Sequence, residues 1–385
     1  MIDGHEGPRP RGGNPPPSIK AAGDRVRSDE SLDGDPEHPL TARKSTLPLV
    51  RVLVSLTVVV VIFVGVLPRI ADFSQVWATL VDLTWLEAFT LSLAAGWNLV
   101  TYWILVMVTL PGLSFSQAAV VTQTSTAVAN ILPGGQAFGL GVAYSMYASW
   151  GFRRSTIASS LVVSGVADLF AKLSMPVIAL VALALGGHTN AALVTAAVIG
   201  AVFLGAGVSL FALALKSERS AQLVGEGLGA VASWFLRLVG RGPTMAWADG
   251  AARWRAETVN LLSGRWWKVI GAAFLSHASL FLVLLIALRH VGVPAEEVSW
   301  AEALGAFAIA RLLTALPITP GGLGVIELGL TGALVVAGGQ EVPVVAAVLI
   351  FRALTYLVQI PFGALTYLLW QHKRSWRVAE TRVPE

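Results

Sequence analysis

The apolar residues of this chain form long uniform runs rather than short alternating segments. The six longest runs lie at about residues 49–67, 84–109, 155–185, 190–215, 267–288 and 342–370. Most of them reach or exceed the roughly 20 residues with which an α-helix crosses the hydrocarbon core of a bilayer. They lack the alternation of a membrane β-barrel strand. The pattern therefore predicts an all-α fold, a polytopic integral membrane helical bundle with six full spans.

Two pairs of shorter apolar runs are each interrupted by the same tripeptide. The first pair spans about 116–132 and 137–150 around Pro133-Gly134-Gly135, and the second spans about 300–316 and 323–338 around Pro320-Gly321-Gly322. Proline and glycine are the strongest local breaks in a helical pattern. We therefore predict two Pro-Gly-Gly-broken elements, which are either re-entrant turns or the ends of short spans.

The two broken elements belong to a longer internal repeat. Each is followed by a long run that contains a proline, Pro176 in the first copy and Pro361 in the second, at an offset of about 185–187 residues. The repeat units cover about 84–185 and 267–370. Counting Lys and Arg at the span ends makes the first broken element enter from the cytoplasm and the second from outside. The repeat is thus predicted to be inverted, as in many transporters.

The polar parts of the chain complete its division into domains. Residues 1–45, rich in Pro, Gly, Asp and Arg, predict a disordered cytoplasmic tail with no cleavable signal peptide. A transmembrane domain follows at 46–371, and a basic cytoplasmic tail at 372–385 closes the chain. The connector at about 216–265 is either an amphipathic helix on the cytoplasmic leaflet or a solvated helix. This layout predicts a multi-pass protein of the bacterial plasma (inner) membrane with cytoplasmic termini.

Composition agrees with the membrane class and excludes several others. Charged residues make up 13% of the chain and hydrophobic residues 55%, whereas soluble domains carry about 25% charged residues. The chain has no cysteine, and its six histidines are scattered without metal-ligand spacing. No nucleotide-binding or hydrolase motif is present. We therefore expect no enzyme activity, metal, cofactor or nucleic-acid partner.

Five charged residues lie in the interior of the apolar runs rather than near their ends: Asp168, Lys172, Arg311, Glu327 and Arg352. Each costs roughly 2.5–3.5 kcal/mol at a helix centre on insertion scales, so such residues usually have a role. Asp168 and Lys172 are four residues apart on one helix, and we predict an intramembrane ion pair between them.

The other three intramembrane charges are predicted to converge near the broken elements. Two cations and one carboxylate leave one positive charge, which favours a phosphate-bearing substrate over a cation. The alternative is a closed ion-pair cluster that only holds helices together. The predicted substrate-binding residues are Arg311, Glu327, Arg352, Gly134, Gly135, Gly321, Gly322, Tyr356 and Gln359.

One stretch resembles a known family. Residues 316–327, LPITPGGLGVIE, are similar to the signature of the lysylphosphatidylglycerol synthase transmembrane (flippase-like) family, as are Arg352 with Pro361-Phe362-Gly363 and the earlier 130–135, NILPGG. The resemblance implies a multi-pass module that flips an aminoacylated phospholipid, with Glu327 and Arg352 as functional positions. Because the chain stops at 385, it implies the membrane part without the aminoacyl-transferase domain. Gln136 and Ala137 stand where many members carry charges.

Three functions compete at this point. The first is translocation of an anionic phospholipid or lipid-linked intermediate, with membrane lipids as partners. The second is a membrane-embedded enzyme, or an accessory subunit that works with an envelope-biosynthesis enzyme in glycolipid assembly. The third is a scaffold without transport. The sequence leaves the substrate, direction, coupling ion and oligomeric state open.

Overall fold

The computed structural model describes residues 73–132, 135–186, 191–238, 255–256, 258–259, 264–314 and 319–373. The predicted span at 49–67, the tail at 1–45 and Pro133-Gly134 lie outside these ranges. All regular elements within them are helical, which confirms the all-α class for this part of the chain.

The helices follow one another without strands in the described ranges. In chain order they are α1 Phe73–Val81, α2 Trp85–Thr109, α3 Phe115–Ile131, α4 Gly135–Ser149, α5 Arg154–Leu185, α6 Ala191–Lys216, α7 Glu218–Leu238, α8 Trp266–His290, α9 Trp300–Leu313, α10 Val325–Val336, α11 Glu341–Arg352 and α12 Gln359–His372. A 3₁₀ turn at Pro320–Gly322 precedes α10, and a π turn at Ala353–Leu357 joins α11 to α12. Helix α1 has no counterpart among the predicted runs.

Five helical stretches of the described chain are long and apolar enough to cross a bilayer. They are Trp85–Thr109, Arg154–Leu185, Val198–Lys216, Trp266–His290 and Glu341–His372. Each coincides with one of the six predicted spans. The last of them includes α11, the π turn and α12, and the backbone N–H of Val358 donates to Ala353 O across that turn at 2.9 Å.

Local sequence explains where several helices begin. Ser114 precedes α3, where its hydroxyl accepts from the Gln117 backbone N–H while the Gln117 side chain accepts from the Ser114 N–H. Ser299 and Glu302 form the same reciprocal pair at the start of α9. Such capping boxes satisfy two N–H groups that a helix start otherwise leaves without partners. Both boxes precede the helices that lead into the Pro-Gly-Gly sequences.

The largest apolar cluster lies among α8, α9, α10 and α11. Phe307 of α9 is fully buried in it, with its ring centroid 5.6 Å from that of Phe281 on α8 and 6.5 Å from that of Phe351 on α11. Buried alanines such as Ala346 and Ala347 keep α11 close to its neighbours. This packing fixes α9 and α11, the helices that carry Arg311 and Arg352.

Helix α12 packs against α3 at a point that only glycine allows. A Cβ atom at Gly363 would overlap the Ala127 side chain and lie 2.5 Å from Gln123 O. Small residues let membrane helices approach closely, and dispersion contacts along such a seam are a main source of their association.

We expect Gly363→Ala to lower the free energy of unfolding by about 1–3 kcal/mol, the usual cost of overpacking a tight site. The measurement is thermal unfolding of purified protein in detergent. Gly96→Ala on the exposed face of α2 is the matched control, because nothing lies within 4 Å of a Cβ there. Equal unfolding temperatures for the two variants would contradict this close contact.

Candidate functional site

A cavity of about 620 Å³ lies among the helices of the membrane bundle. Its lining comes from α2, α3, α4, α5, α8, α9, α10, α11, the π turn and α12. Most of the predicted site residues contribute to its lining: Gly135, Asp168, Lys172, Arg311, Gly321, Gly322, Arg352, Tyr356 and Gln359. Gly134 lies outside the described residues.

Arg352 and Glu327 form one charged cluster at this cavity. Arg352 Nε donates to Glu327 Oε1 at 2.7 Å. The carboxylate belongs to the first turn of α10, where only 1% of Glu327 is exposed, and it does not line the cavity. Arg352 does line it, with its guanidinium carbon 4.5 Å from the centroid of the Tyr356 ring. Glu327 therefore holds the arginine, and the arginine faces the cavity.

The second Pro-Gly-Gly sequence contacts the same arginine. Gly321 and Gly322 have φ values of 56° and 69°, in the left-handed region that favours glycine. A Cβ on Gly321 would also overlap the Tyr356 ring. Arg352 Nη2 donates to Gly321 O at 3.0 Å. The turn thus presents its backbone to the arginine because the glycines leave room for it.

Tyr356 connects this cluster to the C-terminal end of α3. Its hydroxyl donates to Asn130 O at 2.9 Å, in the last turn of α3. Gln359, one helical turn further on, donates its side-chain amide to Thr355 O at 2.7 Å. The residues that lead into the first Pro-Gly-Gly sequence therefore lie beside the π turn of the last span.

A second charged cluster forms around Asp168. Lys172 Nζ lies 2.6 Å from Asp168 Oδ2, and His277 Nε2 lies 3.6 Å from Asp168 Oδ1. Arg311 Nη2 reaches the same His277 nitrogen at 3.3 Å. Arg311 therefore shares the cavity with Arg352, but its direct partner is a histidine on α8 rather than Glu327.

The family profile described as lysylphosphatidylglycerol synthase TM region matches residues 49–363. The match covers 315 of the 385 residues and includes both charged clusters. The chain belongs to this family. With five apolar helices of spanning length, it is a multi-pass membrane protein. A search of curated proteins found no match.

Two residues at the cavity of this lysylphosphatidylglycerol synthase TM region are absent from the sequence-based site, His277 and Gln123. His277 is buried, with 3% of its side chain exposed, and its Nε2 lies 3.6 Å from Asp168 Oδ1 and 3.3 Å from Arg311 Nη2. The sequence does contain a signal for His277, because it is a titratable residue inside the apolar run at 267–288. Asp168 was selected as a candidate for the same reason. Gln123 on α3 was also missed: it is 1% exposed, lines the cavity, and its Oε1 has no hydrogen-bond partner in the described chain.

The charges around the cavity of this family member do not cancel. Lys172, Arg311 and Arg352 line it together with Asp168, and Glu327 adds a second carboxylate behind Arg352. With His277 neutral, three cations face two carboxylates, which leaves one positive charge. Within the described residues, Arg311 Nε and Glu327 Oε2 are buried without a hydrogen-bond partner. Arg311 thus keeps one N–H group without a partner in the part of the chain that the structure describes.

Proposed function

We propose that this protein is a translocase of the bacterial inner membrane that carries an anionic phospholipid or lipid-linked intermediate between the leaflets. The observation that supports it is the excess positive charge of a cavity enclosed by membrane-spanning helices. A buried charge without a counter-ion is costly. A phosphate group of a lipid would compensate it.

Apolar side chains at the edge of the cavity support a lipid ligand over a soluble anion. Leu132 and Leu140 line the cavity and are 38% and 53% exposed. Gln136, also exposed, lies between them in the chain. We infer that the cavity meets the outer surface beside the start of α4. A headgroup would then lie against the arginines while the acyl chains stay against the leucines.

We also propose that the chain contains two repeat units, and several matched features support this. Helices α2 and α8 both have 25 residues, and the spans Arg154–Leu185 and Glu341–His372 both have 32. The capping boxes at Ser114 and Ser299 are 185 residues apart. Packing is reciprocal, because α3 contacts α12 while α9 contacts α5.

The distribution of Lys and Arg supports an inverted relation between these units. Arg153, Arg154, Lys216 and Lys268 lie at span ends that the proposed topology puts on one side. Positive residues favour the cytoplasmic side, which puts both termini in the cytoplasm. The two Pro-Gly-Gly elements then enter from opposite faces of the membrane, and their ends meet at one cavity that each leaflet can reach in turn.

We expect the purified protein, reconstituted into vesicles, to move acyl-labelled phosphatidylglycerol between leaflets at least about tenfold faster than labelled phosphatidylcholine. Unit charges about 4 Å apart interact by about 4 kcal/mol at the effective dielectric near a protein surface, and tenfold needs only about 1.4 kcal/mol. Extraction of labelled lipid from the outer leaflet by albumin measures the rates.

Vesicles without protein provide the baseline for this experiment. Equal rates for the two lipids would contradict the role of the positive charge. Rates equal to the baseline for both would favour the scaffold or accessory-subunit alternative over a phospholipid translocase.

A further inference from the structure

The hydrogen bonds of His277 identify which ring nitrogen carries a proton. Nδ1 lies 3.0 Å from Ala273 O, one turn earlier on α8. A carbonyl oxygen can only accept, so Nδ1 must be the donor. In the neutral ring, Nε2 then carries no hydrogen and offers a lone pair. His277 is one of the residues that line the cavity.

Two groups of opposite charge compete for His277 Nε2. Arg311 Nη2 is 3.3 Å away and donates to it, which requires the neutral ring. Asp168 Oδ1 is 3.6 Å away, and two acceptors gain nothing from each other. Protonation reverses both relations, because an Nε2–H group would donate to Asp168 and repel Arg311. One proton therefore decides which of the two groups His277 holds.

We propose that His277 is a proton-binding site that releases Arg311 to the lipid phosphate, so that proton and anion bind and move together. The proposal rests on the proposed translocase function and names its coupling ion. When the ring is neutral, Arg311 is held by Nε2. When the ring is protonated, Arg311 turns to the anion with all its N–H groups, including the Nε that has no partner in the described chain.

Charge balance supports binding of the proton and the anion together. Helices α2, α5, α9 and α11 pack against α8, and the titratable or charged groups that they bring to the cavity are Tyr102, Asp168, Lys172, Arg311 and Arg352. Around a neutral His277, the nearest three, Asp168, Lys172 and Arg311, sum to one positive charge. A proton on His277 raises this net charge to two, and a bound phosphate with one negative charge lowers it to one again. Each ligand therefore favours the other, and the coupling must be reciprocal.

The test measures affinity for a short-chain phosphatidylglycerol between pH 8 and pH 4, using the full-length protein in neutral detergent. The phosphodiester of this probe stays ionised throughout, so a change in affinity reports the protein. We expect affinity to rise about fivefold or more as pH falls, the usual range of coupling between two sites. His277→Gln removes the proton and should give the same affinity at every pH.

His290→Gln is the matched control on the same helix. His290 bonds to Thr90 at the end of α8 and lies away from the cavity lining, so this variant should keep the wild-type pH dependence. The proposal would be overturned if the affinity of the His277→Gln variant for phosphatidylglycerol changed with pH. It would also be overturned if the affinity of the wild type did not change with pH.

A second measurement covers the case in which His277→Gln does not fold. In a chain whose other five histidines are glutamine, the single imidazole NMR signal should titrate at a higher pH when phosphatidylglycerol is present. An unchanged titration would overturn the proposal. If binding is pH-dependent but vesicles show no lipid movement, the proton site stands and the translocase function fails.

Discussion

Glu327→Ala is expected to lower the free energy of unfolding by about 3–5 kcal/mol, the largest stability effect that we expect of any single substitution here. Its carboxylate is 1% exposed and bonds to Arg352 at 2.7 Å. Without it, the arginine stays in the membrane interior with the Gly321 carbonyl as its remaining hydrogen-bond partner in the described chain. Breaking a buried ion pair costs this much because one charge is left uncompensated. Thermal unfolding in detergent measures the effect.

The double substitution Glu327→Leu with Arg352→Met separates stability from function. Replacing both members of a buried pair by apolar groups is often neutral or stabilising, so this variant should unfold near the wild-type temperature. It should nevertheless lose lipid movement in vesicles, because Arg352 no longer faces the cavity. Wild-type transport in the double variant would show that the cluster only holds α10 against α11.

Among single substitutions that leave the fold intact, Arg311→Gln is expected to cause the largest loss of transport. Glutamine can still donate to His277 but carries no charge for a phosphate. Truncating one partner of a buried charged hydrogen bond costs about 2–5 kcal/mol, so transport of phosphatidylglycerol should fall by about 30-fold or more. Phosphatidylcholine movement should change far less. Albumin extraction from reconstituted vesicles gives both rates.

Arg154→Gln is the control for this loss of charge. Arg154 begins α5, is exposed, and lies outside the cavity lining. Its variant should transport at the wild-type rate. If Arg311→Gln and Arg154→Gln reduce transport equally, the effect comes from the overall charge of the protein and not from the cavity.

The spans could be predicted from sequence because a single physical constraint sets them. Apolar length decides which segments cross a bilayer, and the predicted run at 84–109 coincides with α2 at Trp85–Thr109. Helix α9 covers most of the predicted run at 300–316 and ends at Leu313, while the last two residues of the run lie outside the described ranges. Helix α1 escaped prediction because its nine residues, Phe73–Val81, are too few for a span.

The candidate site was harder to predict because it depends on contacts between distant parts of the chain. The i, i+4 spacing was enough to expect Asp168 beside Lys172. It could not tell that His277, more than 100 residues away, would lie between Asp168 and Arg311. Nor could sequence order reveal that Glu327 would sit behind Arg352, because that depends on how α10 packs against α11.

The π turn at Ala353–Leu357 gives the last span two separate attachments. Before the turn in the chain, Arg352 bonds to Glu327 on α10. After the turn, Gly363 packs against Ala127 on α3. A π turn contains one residue more than an α-helical turn. The side chains after the turn are therefore rotated about the helix axis relative to those before it. The half before the turn can therefore pack against α10 while the half after it packs against α3, which a regular α-helix of this sequence could not do simultaneously. Tyr356 lies within the turn itself.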